Sequence, residues 1–175
     1  DATADARRAV ELLEQATALA PTSDWPPVEN FTRMNLALAY RLLGQAEIFA
    51  GDLPAADATL AQAVATFDQS LASFDPATQP QYVGWAQAGL GVTRLLQAHL
   101  RNVAHVNALN AQNVADAATQ RDAALTLVNQ SVNALNACIA QEPKTLGSPT
   151  FQQKILGCAC RPYLECGGTQ GLRLL

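Results

Sequence analysis

Charge is scarce in this chain: Asp, Glu, Lys and Arg together make up 15% of its 175 residues and leave a net charge of −4. A nucleic-acid partner calls for clustered Lys and Arg that neutralise phosphates, and this composition argues against one. Long apolar runs are missing as well, none reaching the roughly 18 residues of a membrane span. Aromatic residues are few, at 6%, whereas hydrophobic residues as a whole reach 49% and much of that is alanine. Alanine has the highest helix propensity and lets helices approach closely, so an all-α stack is expected in place of a sheet. A phosphate loop is absent too. Gly84, Gly89 and Gly91 lie close together, but no Gly-Lys-Ser/Thr follows and no strand precedes them. Glycine inside a helix costs about 1 kcal/mol relative to alanine, so three of them suggest close helix packing.

At 175 residues the chain suits one domain with a sizeable core. Residues 3 to 20 are strongly periodic, with Ala6, Ala9, Leu12, Leu13, Ala16 and Leu19 on one face. The three prolines of residues 21–29 predict a loop, with Trp25 folded back on the bundle as a lid. Further helices are expected over about 30–50, 53–74, 81–109 and 114–141, separated by Gly51-Asp52, Asp75-Pro76 and the stretch Asn107 to Asn113. Ser148 and Pro149 signal a sixth helix, carrying Phe151, Ile155 and Leu156 and interrupted by Pro162. The domain is read as residues 1–166, with 167–175 a flexible apolar tail.

The stretch from Tyr40 to Asp68 organises the rest. Leu43 and Gly44 follow Tyr40 at helical spacing, Gly51-Asp52 closes the first helix, and Ala56, Leu60, Ala63 and Phe67 step along one face of the second. This hairpin resembles the tetratricopeptide repeat, in which a large residue, Leu-Gly, a Gly-Asp turn and then small, large and small residues mark two closely packed helices. Tyr40, Leu43, Gly44, Gly51, Asp52, Ala56, Leu60 and Ala63 carry the resemblance. Glu47 departs from it by standing where the family has an aromatic, and Asp68 by standing where it has a proline. The resemblance implies a right-handed stack of antiparallel helical hairpins, a tetratricopeptide-like α-solenoid of about six helices.

By the same resemblance the segment ending at Pro21 looks like the second helix of a unit whose first helix is missing. The segment after Ser148 looks like a first helix without a second. Gln69-Ser70-Leu71 and Gln130-Ser131-Val132 occupy similar places in their helices, which gives a faint internal repeat on the order of 60 residues.

The four cysteines, Cys138, Cys158, Cys160 and Cys166, all fall in the last quarter of the chain. Two disulfides are the leading expectation, with Cys138 bonded to Cys158 or Cys160 and Cys166 taking the other. A four-cysteine zinc site and free buried thiols are the alternatives, and a lone Cys-x-Cys is poor zinc-ligand spacing. Two sequons, at Asn30 and Asn129, are glycosylation candidates; Asn30 also reads as a helix N-cap. His99 and His105 lie on different helix faces without a carboxylate at metal-ligand spacing. Glu11, Glu14, Asp52, Asp57, Asp116 and Asp122 are accounted for by helix starts and solvent faces. No Ser or Cys sits in a nucleophile elbow. No catalytic residue, metal or cofactor is expected, and the chain is read as not an enzyme.

These observations lead to the expectation of a secreted, disulfide-stabilised structural subunit at the cell surface or outside the cell, its signal peptide removed. Its partners would be copies of itself, joined head to tail through the unmatched end helices, with Leu172, Leu174 and Leu175 inserting into the neighbour. A monomeric module holding a partner peptide in a groove lined by Arg33, Asn35 and Gln87 is the alternative. A secreted helical-bundle enzyme inhibitor is the remote one.

Overall fold

The computed structural model describes residues 1–22 and 27–141, and every regular element among them is helical. Helix α1 spans Ala2–Leu19 and runs into a 3-10 turn at Ala20–Thr22. Helices α2 (Pro27–Ala50), α3 (Leu53–Ser73), α4 (Pro80–Asn110) and α5 (Val114–Ile139) follow. All five lie within a turn of their expected bounds. The loop expected over 21–29 is the exception, because Pro27, Val28 and Glu29 already belong to α2. Proline is tolerated there since the first turn of a helix has no intrahelical partner for its N–H. Trp25, the sixth helix, Cys158, Cys160, Cys166 and the tail with Leu172, Leu174 and Leu175 lie outside the described residues.

Each helix packs on its neighbours in the chain: α1 on α2, α2 on α3, α3 on α4 and α4 on α5, with α2 also touching α4. The core is therefore a row of interfaces. Val10, Leu36, Ala39 and Leu43 form the α1–α2 cluster. Ala37, Phe67 and Ala86 join α2, α3 and α4, while nearer the other end of α3 Ala56 and Leu60 meet Leu100 of α4, with Ile48 of α2 packed against them. Phe31, Tyr82, Phe74 and Trp85 stack where α2 and α4 begin and α3 ends, with Phe31 and Tyr82 edge to face at 4.5 Å between centroids.

The two long hairpins share one turn. Gly51, at φ +81°, and Gln112, at φ 59°, occupy the left-handed position that closes a helix. In the first turn the Asp52 N–H donates to Glu47 O (2.9 Å), and in the second the Asn113 N–H donates to Ala108 O (2.9 Å). Asp52 Oδ1 then accepts from Ala55 N (3.2 Å) and Asn113 Oδ1 from Asp116 N (3.1 Å), capping α3 and α5. From Gly51 to Gln112 is 61 positions.

The hairpins also share a helix contact. A Cβ on Gly44 would lie 2.7 Å from Leu60 Cγ, and one on Gly91 would lie 2.8 Å from Leu135 Cγ. Both glycines let a leucine of the partner helix reach the backbone. Yet Gly44 stands 7 positions before its turn glycine, whereas Gly91 stands 21 positions before Gln112. On each arm of the α4–α5 hairpin the contact thus lies 14 residues farther from the turn, about 21 Å at 1.5 Å per residue. Fourteen residues make nearly four turns, so the packed face returns almost to phase. By this contact Ser131 corresponds to Ala56, the residue four before the leucine, and only by distance from the turn to Ser70. Ser131, buried, donates its hydroxyl to Gly91 O at 2.8 Å.

Candidate interaction surface

The small, large and small pattern of α3 recurs on α5 and on α1. Ala56, Leu60 and Ala63 on α3 are fully buried, and Ser131, Leu135 and Cys138 on α5 are at most 1% exposed. The third instance, Ala9, Leu13 and Ala16 on α1, lies 47 positions before the first. There Ala9 is exposed, and Leu13 and Ala16 are half-buried. What covers α3 and α5 at these positions is a helix bearing Leu-Gly: Leu43-Gly44 of α2 in one case and Leu90-Gly91 of α4 in the other. No described residue covers α1 in that way.

The result is an apolar groove of about 360 Å³ between α1 and α2, lined by Ala6, Ala9, Leu13, Asn35, Leu38, Ala39 and Leu42. Its placement mirrors that of an occupied one. Helix α2 itself touches both its hairpin partner α3 and the following α4. A helix in the α1–α2 groove would touch α1 and α2 in the same relation.

Helix α1 is held to α2 by polar as well as apolar contacts. The Tyr40 hydroxyl donates to Glu14 Oε1. Partial burial, and then the hydrogen bond and charge of Glu14, push the Tyr40 pKa up to about 12. Glu47, only 4% exposed, meets the Arg7 guanidinium at 3.6 Å. Glu47 is therefore an ionic contact between α2 and α1.

A second groove, of about 300 Å³, lies between α4 and α5 and is lined by Gln87, Leu90, Arg94, Gln130, Asn133 and Ala134. The three residues expected to share one peptide groove are thus separated. Asn35 and Gln87 line different grooves, and Arg33 turns to Glu29 and to Ser73 Oγ.

Among the remaining candidates, Asn30 is not a helix N-cap. It lies inside the first turn of α2, and its amide donates to Ser73 O at 3.1 Å, tying α2 to the end of α3. Asn129 is exposed in mid-α5. Cys138 is fully buried against Ala88, Trp85 and Ile139, and it is not without a partner. His105 Nδ1 lies 2.7 Å from Ala117 O. Asp57 holds Arg101 through both carboxylate oxygens at 2.8 and 2.9 Å, joining α3 to α4. No helix among the described residues is long and apolar enough to cross a membrane. Sequence reading passed over Ala9, Leu13 and Ala16 as a surface, although their 47-residue offset from Ala56, Leu60 and Ala63 is visible in the sequence.

In comparisons with known proteins the chain matches no family model, no curated protein and no solved structure.

Proposed function

We propose that this protein is a non-enzymatic structural subunit, a secreted tetratricopeptide-like helical-repeat protein that associates head to tail into an extracellular fibre or surface array. The observation that carries this reading is the α1–α2 groove, whose apolar lining includes the half-exposed Leu42 and the exposed Ala9. A groove of this kind accepts one more helix in the relation that α2 has to α3 and α4, and a helix supplied by a neighbour makes a heterologous contact that propagates. The solenoid arrangement is supported by the sequential packing of the helices, the α2–α4 contact and the repeated Gly–Leu packing. Light scattering across a concentration series, with negative-stain microscopy, tests the assembly: mass should rise with concentration. A strictly monomeric species at high concentration would rule it out.

Disulfides to Cys138 belong to the same reading. Cys138 is fully buried at the end of α5, beside Trp85. Intact mass with and without reduction and alkylation counts the bonds, and it also reports any glycan on Asn30 or Asn129. Four cysteines alkylated without prior reduction would remove the disulfides from the proposal.

The alternative is a monomeric module that holds a partner peptide. The α4–α5 groove favours it, since Gln87, Arg94, Gln130 and Asn133 on its lining offer the hydrogen-bonding groups that an extended peptide needs. Pull-down of a partner by a chain that stays monomeric would select this reading over assembly.

A further inference from the structure

The geometry points to the occupant of the α1–α2 groove: residues 148–161 of a second copy, seated with Leu156-Gly157 against Ala9, Leu13 and Ala16. This inference rests on the assembly reading and makes it specific.

The two occupied contacts define what fits. In each, a helix presents Leu-Gly, and the missing side chain of the glycine leaves room for a leucine flanked by small residues four before it and three after it. Leu60 fills that space at Gly44 and Leu135 at Gly91. Leu13 has the same flanks, Ala9 and Ala16. Among residues 142–175 the sequence contains Leu-Gly twice, at 146–147 and 156–157. The first directly precedes Ser148-Pro149, a helix-start signal, so only Leu156-Gly157 falls within the helix that this signal opens.

Charge agrees with this pairing. Residues 1–141 carry seven Lys and Arg against thirteen Asp and Glu, a net of −6, while residues 142–175 carry four against two, a net of +2. Residues 148–161 contain Lys154 and Arg161 and no acid. Helix α1, with its N-cap residue, carries Asp1, Asp5, Glu11 and Glu14 against Arg7 and Arg8. Arg8 is already paired with Glu11 at 2.8 Å, and Arg7 with Glu47. A basic helix therefore meets an acidic one, and the contact should weaken with added salt.

The occupant comes from another copy because α1 and α5 stand at opposite ends of the row of helices, and α5 is the element that residues 142–175 follow. Among the described residues α1 packs on α2, with the 3-10 turn beside it.

The test uses the full chain and a fluorescein-labelled peptide of residues 147–161 with Cys158 and Cys160 replaced by serine. Fluorescence anisotropy should show saturable binding that falls with added sodium chloride. Ala9→Leu, which fills the seat from an exposed position, should weaken binding at least tenfold in a chain that keeps its helical circular dichroism and melting temperature. Gly157→Leu in the peptide should do the same. Assembly is followed separately by light scattering. Growth in mass without peptide binding, or with binding indifferent to both substitutions, overturns this occupant and leaves the assembly reading standing. Peptide binding lost in both variants, with a chain that stays monomeric, upholds the seat and overturns the assembly. A monomer that binds no peptide overturns both.

Discussion

The ring of Phe67 on α3 lies directly over Gly89 on α4, so that a Cβ at position 89 would stand 2.3 Å from the ring's Cζ. Phe67 is fully buried, in a cluster with Ala37 and Ala86. It cannot swing aside.

Gly89→Ala sets two effects against each other. Alanine gains about 1 kcal/mol of helix propensity over glycine. Overpacking a closed core costs about 1–3 kcal/mol, and the closeness of the contact to an immobile ring places this site at the upper end. The variant should unfold at lower urea concentration, by a net of about 1–2 kcal/mol, the difference between those terms. In a Phe67→Leu background, where the ring is gone, the same change should be neutral or stabilising. Stabilisation by Gly89→Ala in the parent chain would show that the two helices are not in contact here.

Much of this arrangement was legible in the sequence, for identifiable reasons. Helix starts and stops followed from Gly51-Asp52, Asp75-Pro76 and the alanine-rich periodicity, because turn chemistry and amphipathic spacing are local. The close packing expected of Gly89 and Gly91 was legible too, since glycine inside a helix needs a reason. Which side chain each glycine admits was not, because Phe67 and Leu135 reach them from other helices. The second turn was expected within Asn107 to Asn113, but its left-handed residue was not, since the Gln112 side chain gives no signal for that backbone. The groove on α1 was missed for a different reason. The pattern left α1 without its partner helix, but it did not say which residues form the seat; the exposed Ala9 and the half-buried Leu13 and Ala16, beside the buried Ala56, Leu60 and Ala63, mark it.

Tyr40 and Glu14 make the junction of α1 with α2 sensitive to alkali. The folded chain holds the Tyr40 proton up to about pH 12, above the ordinary tyrosine value of 10.0. A raised pKa in the folded state adds stability that is fully present below pH 10 and is lost as pH rises toward 12, where the folded state must give up the proton as well. Melting temperature should therefore fall across this window more steeply in the parent than in Tyr40→Phe, which cannot titrate. Parallel declines in the two proteins would show that the contact with Glu14 does not matter in solution.

Arg7 and Glu47 should respond unequally to substitution. Glu47 is 4% exposed, whereas the Arg7 side chain is 60% exposed. Removing Arg7 leaves a buried carboxylate without its cation, and an unsatisfied buried polar group costs about 1–3 kcal/mol. Arg7→Ala should lower stability within that range. Glu47→Tyr removes the buried charge and fills the position with an aromatic ring, so Arg7→Ala in a Glu47→Tyr background should cost much less. The checking measurement is a double-mutant cycle from urea unfolding, and additivity of the two changes would dissolve the pair.

The two hairpin turns supply a reciprocal comparison. Gly51 and Gln112 both adopt positive φ, +81° and 59°, with matching backbone hydrogen bonds around them. For any residue with a Cβ the left-handed conformation costs roughly 1–2 kcal/mol, and glycine avoids this. Glycine in turn loses more chain entropy on folding, which offsets part of the gain. Gln112→Gly should therefore stabilise the chain by about 0.5–1 kcal/mol once that entropy is deducted. Gly51→Gln should destabilise it by a similar amount, since no atom lies within 4 Å of a Cβ at Gly51 and backbone strain is the only penalty. Swapping both residues at once should leave stability close to that of the parent. A loss of stability from Gln112→Gly would mean that the second turn does not adopt the conformation of the first.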